Sequence, residues 1–216
     1  YSFNLQGLVG TESLVNSELL RDPATGRLTG AISDLINGPD VVTDGVDFSL
    51  SYDREFMAGR LGATVDGVWL NKYDLLIDAT ATAPARTYHA GGFYNTRSGT
   101  APVGLGSFPE WKVNVGLSYD YGPHSVMGLM RYIHGYDLHP SVVDCCKIGQ
   151  IDRDVRFDLF YTVRMADEKT RLTLSLINLT DEDPPLAPQE LGYDTSTHSP
   201  LTRTIKVTLT QRFGGR

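Results

Sequence analysis

The sequence predicts an all-β protein whose antiparallel strands form an up-and-down β-barrel that spans a membrane. Three observations support this prediction: apolar and polar residues alternate with a period of two, connections alternate between short and long, and several segments could cross a bilayer. Neighbouring side chains of a strand point to opposite faces, so each alternating segment has one apolar and one polar face. A bilayer is crossed by roughly 9–11 tilted residues, whereas strands of soluble proteins cluster near about five or six.

The alternating segments predict about eight strands. The clearest is WKVNVGLSYDY, residues 111–121, in which odd-numbered residues are apolar or aromatic and even-numbered residues are polar or glycine. The segment 125–136 is less regular, and the sequence leaves both assignments of its faces open. One or two strands are expected before residue 43. Seven segments with the pattern follow it: 46–52, 60–70, 111–121, 125–136, 155–163, 171–176 and 204–213.

The connections between these segments differ in length in a regular order. Long runs rich in Gly, Pro, Asp, Ser and Thr cover 74–107, 137–150 and 181–200. A soluble sandwich has turns at similar spacing at both ends, whereas an outer-membrane barrel has short periplasmic turns and long extracellular loops. The order therefore favours the barrel. The short connections are 53–59, 121–124 and 165–169.

Aromatic residues lie near the ends of the apolar faces, where a membrane barrel carries its aromatic girdles. We therefore expect the apolar faces to contact outer-membrane lipid rather than a protein core. The opposite faces carry Lys, Arg, Asp, Asn and Thr, which fits a water-filled or plugged lumen. The aromatic residues are Trp69, Trp111, Tyr119, Tyr121, Tyr161 and Phe213.

Composition excludes several classes of protein. The chain has 216 residues and a net charge of −7, which argues against nucleic-acid binding because that needs a basic surface. No window of about 18 apolar residues is present, so a transmembrane helix is not expected. Cys145 and Cys146 are adjacent and cannot join distant segments. A strained local bridge and two free thiols both remain open for this pair.

The sequence predicts no enzyme and no cofactor. It has no G-x-S-x-G nucleophile elbow, and GLGSFP at 104–109 lacks the third glycine of a dinucleotide fingerprint. His139, Asp144, Cys145 and Cys146 share one loop and could bind a soft metal. An exposed loop tip is the simpler interpretation, so no metal site is assigned.

The long loop 74–107 is the best candidate for ligand contact. Its part RTYHAGGFYNTRSGT, residues 86–100, combines aromatic and arginine side chains with glycines. Such side chains suit recognition of a chelate, a sugar or a peptide. An extracellular loop without any ligand contact is the alternative. The candidate residues are Arg86, Tyr88, His89, Phe93, Tyr94 and Arg97.

Several stretches together resemble the C-terminal barrel of TonB-dependent outer-membrane receptors. TLSLINLTDEDPPL (173–186) resembles the penultimate strand and the loop after it, with an N-L-x-D-x-x-P-P-like pattern. GYDTSTHSPLTRTIKVTLTQRF (192–213) resembles the closing strand, although family members usually end at the aromatic residue, whereas Gly214, Gly215 and Arg216 follow here. The segments 21–37, 43–53 and 108–136 are similar to parts of the late barrel, so the resemblance covers about residues 20–213.

The resemblance implies that residues 1–216 are the C-terminal portion of an outer-membrane β-barrel, without the plug domain. The intact receptor would lie in the outer membrane of a Gram-negative bacterium and take up a scarce nutrient such as a siderophore, vitamin, sugar or peptide. Its expected partners are membrane lipid, the remaining barrel strands, the plug domain, the nutrient, and TonB, which contacts the receptor through the missing plug segment.

Two other interpretations stay open. The chain could be a complete small outer-membrane barrel of about eight strands with a structural or adhesion role. It could also be a soluble β-sandwich or lipocalin-like binding module, in which apolar faces of opposite strands pack on each other. The sequence does not identify the ligand in any of these cases.

Overall fold

The computed structural model of the protein describes residues 17–33, 40–79, 84–95, 106–140, 142, 147–165 and 169–213. These residues form strands, turns and irregular segments, and none of them is helical. None belongs to a helix that is long and apolar enough to cross a membrane. The chain divides into two compact units, residues 1–40 and 41–216.

The first unit contains one antiparallel hairpin, formed by β1 (Ser17–Arg21) and β2 (Leu28–Ser33). The Asp22 carboxylate accepts hydrogen bonds from the backbone N–H groups of Ala24 and Thr25, at 2.8 and 2.9 Å. The backbone donors of Thr25 and Ala24 lower the pKa of Asp22. Its two strands agree with the one or two strands expected before residue 43.

An eight-stranded antiparallel sheet dominates the rest of the protein, in the order β13-β12-β11-β8-β7-β4-β3, with β5 paired to β4. A small sheet has the order β10-β9-β6, and its β6 and β9 are parallel. The strands are β3 (Asp40–Phe56), β4 (Gly59–Ile77), β5 (Arg86–His89), β6 (Phe93–Tyr94), β7 (Trp111–Tyr121), β8 (His124–Ile133), β9 (Tyr136–Leu138), β10 (Gln150–Ile151), β11 (Asp154–Met165), β12 (Thr170–Ile177) and β13 (Thr204–Gln211).

The predicted all-β, antiparallel class is confirmed, and each of the seven alternating segments contains a strand of the main sheet. The segment 125–136 is shorter than predicted, because β8 ends at Ile133 and Tyr136 begins β9. β3 and β4 are longer than predicted, so the expected connection 53–59 shrinks to a tight turn. Met57 in this turn has φ +53°, which suits a two-residue hairpin loop. In the described part of the chain the sheet is open, with β3 and β13 at its two edges.

The register places the apolar residues of neighbouring strands on one continuous face. β8 joins this pattern with Val126 and Met130 on the apolar face, and Arg131 on the polar face, which resolves its ambiguous sequence. The apolar face is exposed, with 57% of Leu117 and 66% of Val207 accessible to solvent. One row of this face consists of Ala63, Leu117, Gly128, Leu159, Leu176 and Ile205.

The buried apolar residues lie at one end of the sheet, among its long connections. One cluster contains Leu75, Tyr88 and Ala90, with Phe108 packed against it. The second cluster is formed by Tyr94, Tyr136, Ile151 and Ala187. Both clusters are made by residues at the ends of long strands and in the connections, so the main sheet presents its apolar face to the surroundings instead of to a core.

Candidate functional site

The polar face of the sheet is covered where β11 begins. Asp154, Arg156 and Asp158 alternate along this strand on the same face, and all three are buried. The connection 178–203, between β12 and β13, contacts them through a side chain, a backbone carbonyl and a backbone N–H group. The sequence predicted that this face borders a water-filled or plugged lumen, and at this end of the sheet the loop 178–203 covers it.

Arg156 and His198 both contact the carboxylate of Asp154. The Arg156 Nε donates to both oxygens of Asp154, at 3.0 and 3.2 Å, and its Nη1 donates to the Leu201 carbonyl at 3.3 Å. The Nδ1 of His198 lies 3.0 Å from the second oxygen. A buried charge is tolerated when it is paired and hydrogen-bonded, and both charged groups of β11 have such partners here. Two of these partners, His198 and Leu201, belong to the loop, so the contacts join the loop to β11.

Tyr136 connects the same histidine to a second buried carboxylate. Its hydroxyl donates to Asp194 at 2.6 Å and lies 3.0 Å from the His198 Nε2. Burial raises the pKa of Tyr136, and the hydrogen bond to Asp194 raises it further. Burial alone would raise the pKa of Asp194, but donors that include Ser196 and Tyr136 outweigh it and lower that pKa.

Asn178 closes the start of the same loop. Its side-chain amide donates to the carbonyls of Glu182 and Leu201, and its side-chain oxygen accepts from the Glu182 N–H. Its own backbone N–H donates to Asp158 at 2.8 Å. Asn178 is fully buried and has φ +53°, a left-handed conformation that asparagine tolerates better than most residues. These contacts give a physical role to the asparagine of the NLTDEDPP stretch.

The predicted ligand loop is divided between exposed and buried residues. Arg86 and His89 are exposed on β5, and the His89 Nδ1 lies 2.8 Å from a carboxylate oxygen of Asp74. Tyr88 and Tyr94 are buried, with 6% and 2% of their surface accessible. Phe93 is half-buried on β6. The structure therefore brings these residues into one region but presents only some of them to solvent.

His139 packs against two of the predicted ligand residues. Its ring stacks on Tyr88 with centroids 4.1 Å apart and meets the edge of Phe93 at 5.3 Å. Burial lowers the pKa of His139, and the nearby charge of His89 lowers it further. Asn95 stabilises the loop by accepting from the Tyr88 hydroxyl and donating to backbone carbonyls.

Several predicted residues lie outside the described residues. Arg97 of the ligand loop is one of them, and Asp144, Cys145 and Cys146 of the possible metal loop are others. Among the residues that the structure describes, no group of three or more His, Cys, Asp or Glu side chains could hold a metal ion.

The described residues line two clefts near the long connections. The first, which we call the basic cleft, has a volume of about 210 Å³ between the polar face and residues 197–199 of the loop. The second has a volume of about 450 Å³ and includes the carboxylates of Glu110, Asp137 and Asp152. Polar and basic side chains that line the basic cleft include Lys112, Asn114, Arg131, Arg156, Thr197 and Ser199.

The sequence did not identify the buried network of Tyr136, Asp194 and His198. Its one available signal was the alternation of Asp154, Arg156 and Asp158 on a single strand face. Three charged residues so close together need partners if a neighbouring loop folds over them. The sequence alone does not indicate which loop supplies those partners.

Comparison with known proteins identifies no relative of this chain. The chain matches no protein-family model, no curated protein and no solved structure.

Proposed function

We propose that the chain is the C-terminal barrel part of a TonB-dependent receptor that takes up a scarce nutrient across the outer membrane of a Gram-negative bacterium. The observation that carries this proposal is the continuous apolar face of the main sheet. Leu50, Leu117 and Val207 on this face expose 68%, 57% and 66% of their surface. Soluble monomers rarely expose so large an apolar surface, whereas lipid would cover it at no cost.

The distribution of aromatic residues supports a bilayer as the surrounding medium. Trp69 and Trp111 stack at the end of the strands that carries the long connections, with centroids 5.8 Å apart. Tyr121 and Tyr161 lie toward the opposite end. Tyr121 lies ten positions after Trp111 on β7, which is about 33 Å along the strand. At a tilt of about 40° this corresponds to about 25 Å, the height of the apolar band of a membrane barrel.

The arrangement of the connections supports the same orientation. The three short connections, after β3, β7 and β11, join strand ends that lie at the same end of the sheet because consecutive strands are antiparallel. Both buried clusters and the buried network lie at the other end. In the proposed receptor the short turns face the periplasm and the folded loops face the outside, where ligand capture occurs.

The two sheet edges support a barrel completed by further strands. β3 and β13 do not pair with each other in the described residues, and unpaired strand edges are not tolerated in lipid. Additional strands and a plug domain would close and fill the barrel, and TonB would act through the plug. The second candidate, a complete small barrel, would require these two edges to pair. A soluble sandwich would require a second sheet on the apolar face.

The dependence of folding on a membrane-like medium tests the proposal. The full chain would be refolded in buffer, in detergent micelles and in lipid vesicles, and followed by circular dichroism and size-exclusion chromatography. We expect strand content only with micelles or vesicles, where the open edges of β3 and β13 pair with those of other copies of the chain, and strands protected from protease in the vesicles. A folded, monodisperse monomer in detergent-free buffer would contradict the proposal.

A further inference from the structure

Three cationic side chains meet in the basic cleft, although the chain as a whole is acidic. Lys112 lies on β7, Arg131 on β8 and Arg156 on β11. Asn114, Arg131 and Arg156 are direct cross-strand neighbours in the register of these strands. Like charges in directly opposite positions destabilise a sheet. The arrangement therefore needs compensation from carboxylates or from a bound anion.

The carboxylates of the protein compensate only part of this charge. Arg156 pairs with Asp154 at 3.0 Å, and Arg131 pairs with Asp158 at 2.9 Å. Lys112 forms no ion pair with any residue that the structure describes. Of the three cations that line the cleft, Lys112 is therefore the one without an ion-pair partner among the described residues.

Each of the two arginines also has one hydrogen-bond donor without an acceptor in the described part of the chain. The Nη2 of Arg156 and the Nε of Arg131 are buried, and neither has an acceptor among the described residues. Only 3% of the surface of Arg156 is exposed. A buried donor without an acceptor is costly, more so when it belongs to a charged group. Neutral groups that can donate hydrogen bonds, the amide of Asn114 and the hydroxyls of Thr197 and Ser199, complete the lining.

We propose that the basic cleft binds an anionic group, a carboxylate or a phosphate, of a small molecule. Lys112 supplies the uncompensated charge, and Arg131 and Arg156 supply planar guanidinium groups that suit both kinds of oxyanion. The oxygen atoms of Asp154 lie in the same lining but are already occupied by Arg156 and His198. That the small molecule is the transported nutrient rests on the function proposed above; the binding of an anion does not.

Calorimetric titration of the full chain, refolded in zwitterionic detergent, tests the proposal with two probes. Inorganic phosphate and citrate would be titrated separately at low ionic strength. We expect saturable binding of one probe at one site per chain, weakened by added salt because the contacts are ionic. The probe that binds with the higher affinity shows whether the cleft prefers phosphate or carboxylate oxygens.

Two substitutions locate the binding in the cleft. Lys112→Gln removes the spare charge at an exposed position, and we expect about tenfold weaker binding. Asn114→Asp keeps the shape of the side chain but cancels that charge, and we expect binding to be lost. Lys206→Gln on β13 makes the same charge change four strands away and should leave the affinity unchanged. Circular dichroism would verify that each variant retains its strand content.

The outcomes separate this proposal from the receptor function. If neither probe binds, or if the Lys112→Gln and Lys206→Gln variants bind a probe with equal affinity, the proposed anion site is wrong. This holds even when the chain folds only in detergent. If the chain folds without detergent and still binds a probe in a Lys112-dependent way, the receptor function fails and the anion site stands.

Discussion

Tyr136 and His198 are 62 positions apart in the chain, yet their rings are nearly parallel and the hydroxyl lies 3.0 Å from the imidazole Nε2. The contact joins β9, which follows β8, to the loop that precedes β13. Together with Asp194 and Asp154 it fixes the loop 178–203 against the polar face.

Tyr136→Phe is expected to loosen this loop. The variant removes the donor to Asp194 and the contact to His198 but keeps the buried ring, so the carboxylate loses one of its hydrogen bonds. We expect a decrease of about 2 kcal/mol in the free energy of unfolding, typical for a hydrogen bond to a charged group. Guanidinium unfolding in detergent micelles measures it.

Tyr132→Phe is the matched control for this change. The Tyr132 hydroxyl also contacts a histidine, with 2.8 Å to the Nδ1 of His134, but this pair is exposed. We expect an effect of less than about 0.5 kcal/mol. Equal losses for the two variants would show that the buried network adds no stability.

Asn178→Ala is expected to be the most damaging single change in the loop. It removes three hydrogen bonds of a fully buried side chain to the backbone groups of Glu182 and Leu201, and alanine also fits the left-handed backbone less well. We expect a loss of about 3–5 kcal/mol in unfolding free energy. Asn71→Ala removes an exposed hydrogen bond to Asp44 and should cost less than about 1 kcal/mol. A small effect at Asn178 would contradict its role in closing the loop.

Acid is expected to release the loop through Asp194. The pKa of Asp194 in the folded protein lies below its value in the unfolded chain, which is about 3.9. The ionised carboxylate therefore stabilises the folded loop fully at pH values above the unfolded pKa. This contribution is lost as the pH falls through the folded pKa. The amide of Ser196 donates to Asp194 and reports the change by NMR in micelles. We expect a midpoint below about 3.9 and no such titration in Asp194→Asn. A midpoint above that of the unfolded chain would contradict the expected direction.

Gly67→Ala is expected to disturb the pairing of the edge strand β3. A Cβ at this position would overlap the ring of Phe48, which lies on the backbone of Gly67. We expect a loss of about 1–3 kcal/mol from overpacking. Gly128→Ala is the control, because a Cβ there meets nothing within 4 Å. Similar stability of the two variants, measured by unfolding in micelles, would mean that the Phe48 contact is easily displaced.

Arginine substitutions on neighbouring residues of β13 distinguish the two faces of the sheet. Val207 lies on the apolar face, and Thr208 lies on the polar face opposite Thr173. If lipid covers the apolar face, Val207→Arg should cost about 2–4 kcal/mol in vesicles. Thr208→Arg should change the unfolding free energy much less. Equal tolerance of both substitutions in vesicles would argue against a lipid-facing surface.

Much of the fold could be predicted from the sequence because strand alternation is a local property. WKVNVGLSYDY shows its two faces without reference to any other segment, and the structure has a strand over the same residues, 111–121. β8 was different, since Met127 and Leu129 alternate with Val126 and Met130. Its register with β7 and β11 decides that Met127 and Leu129 lie on the polar face.

The sequence by itself determined an antiparallel all-β protein with seven long strands, one apolar face and long connections at one end. Only the tertiary structure decided that Asp154 and Arg156 are buried, and that His198 is the partner of Asp154 across 44 positions. The physical reason is the range of each signal. Alternation depends on neighbouring residues, whereas the pairing of buried charges depends on the path of an aperiodic loop, which leaves no repeating pattern in the chain.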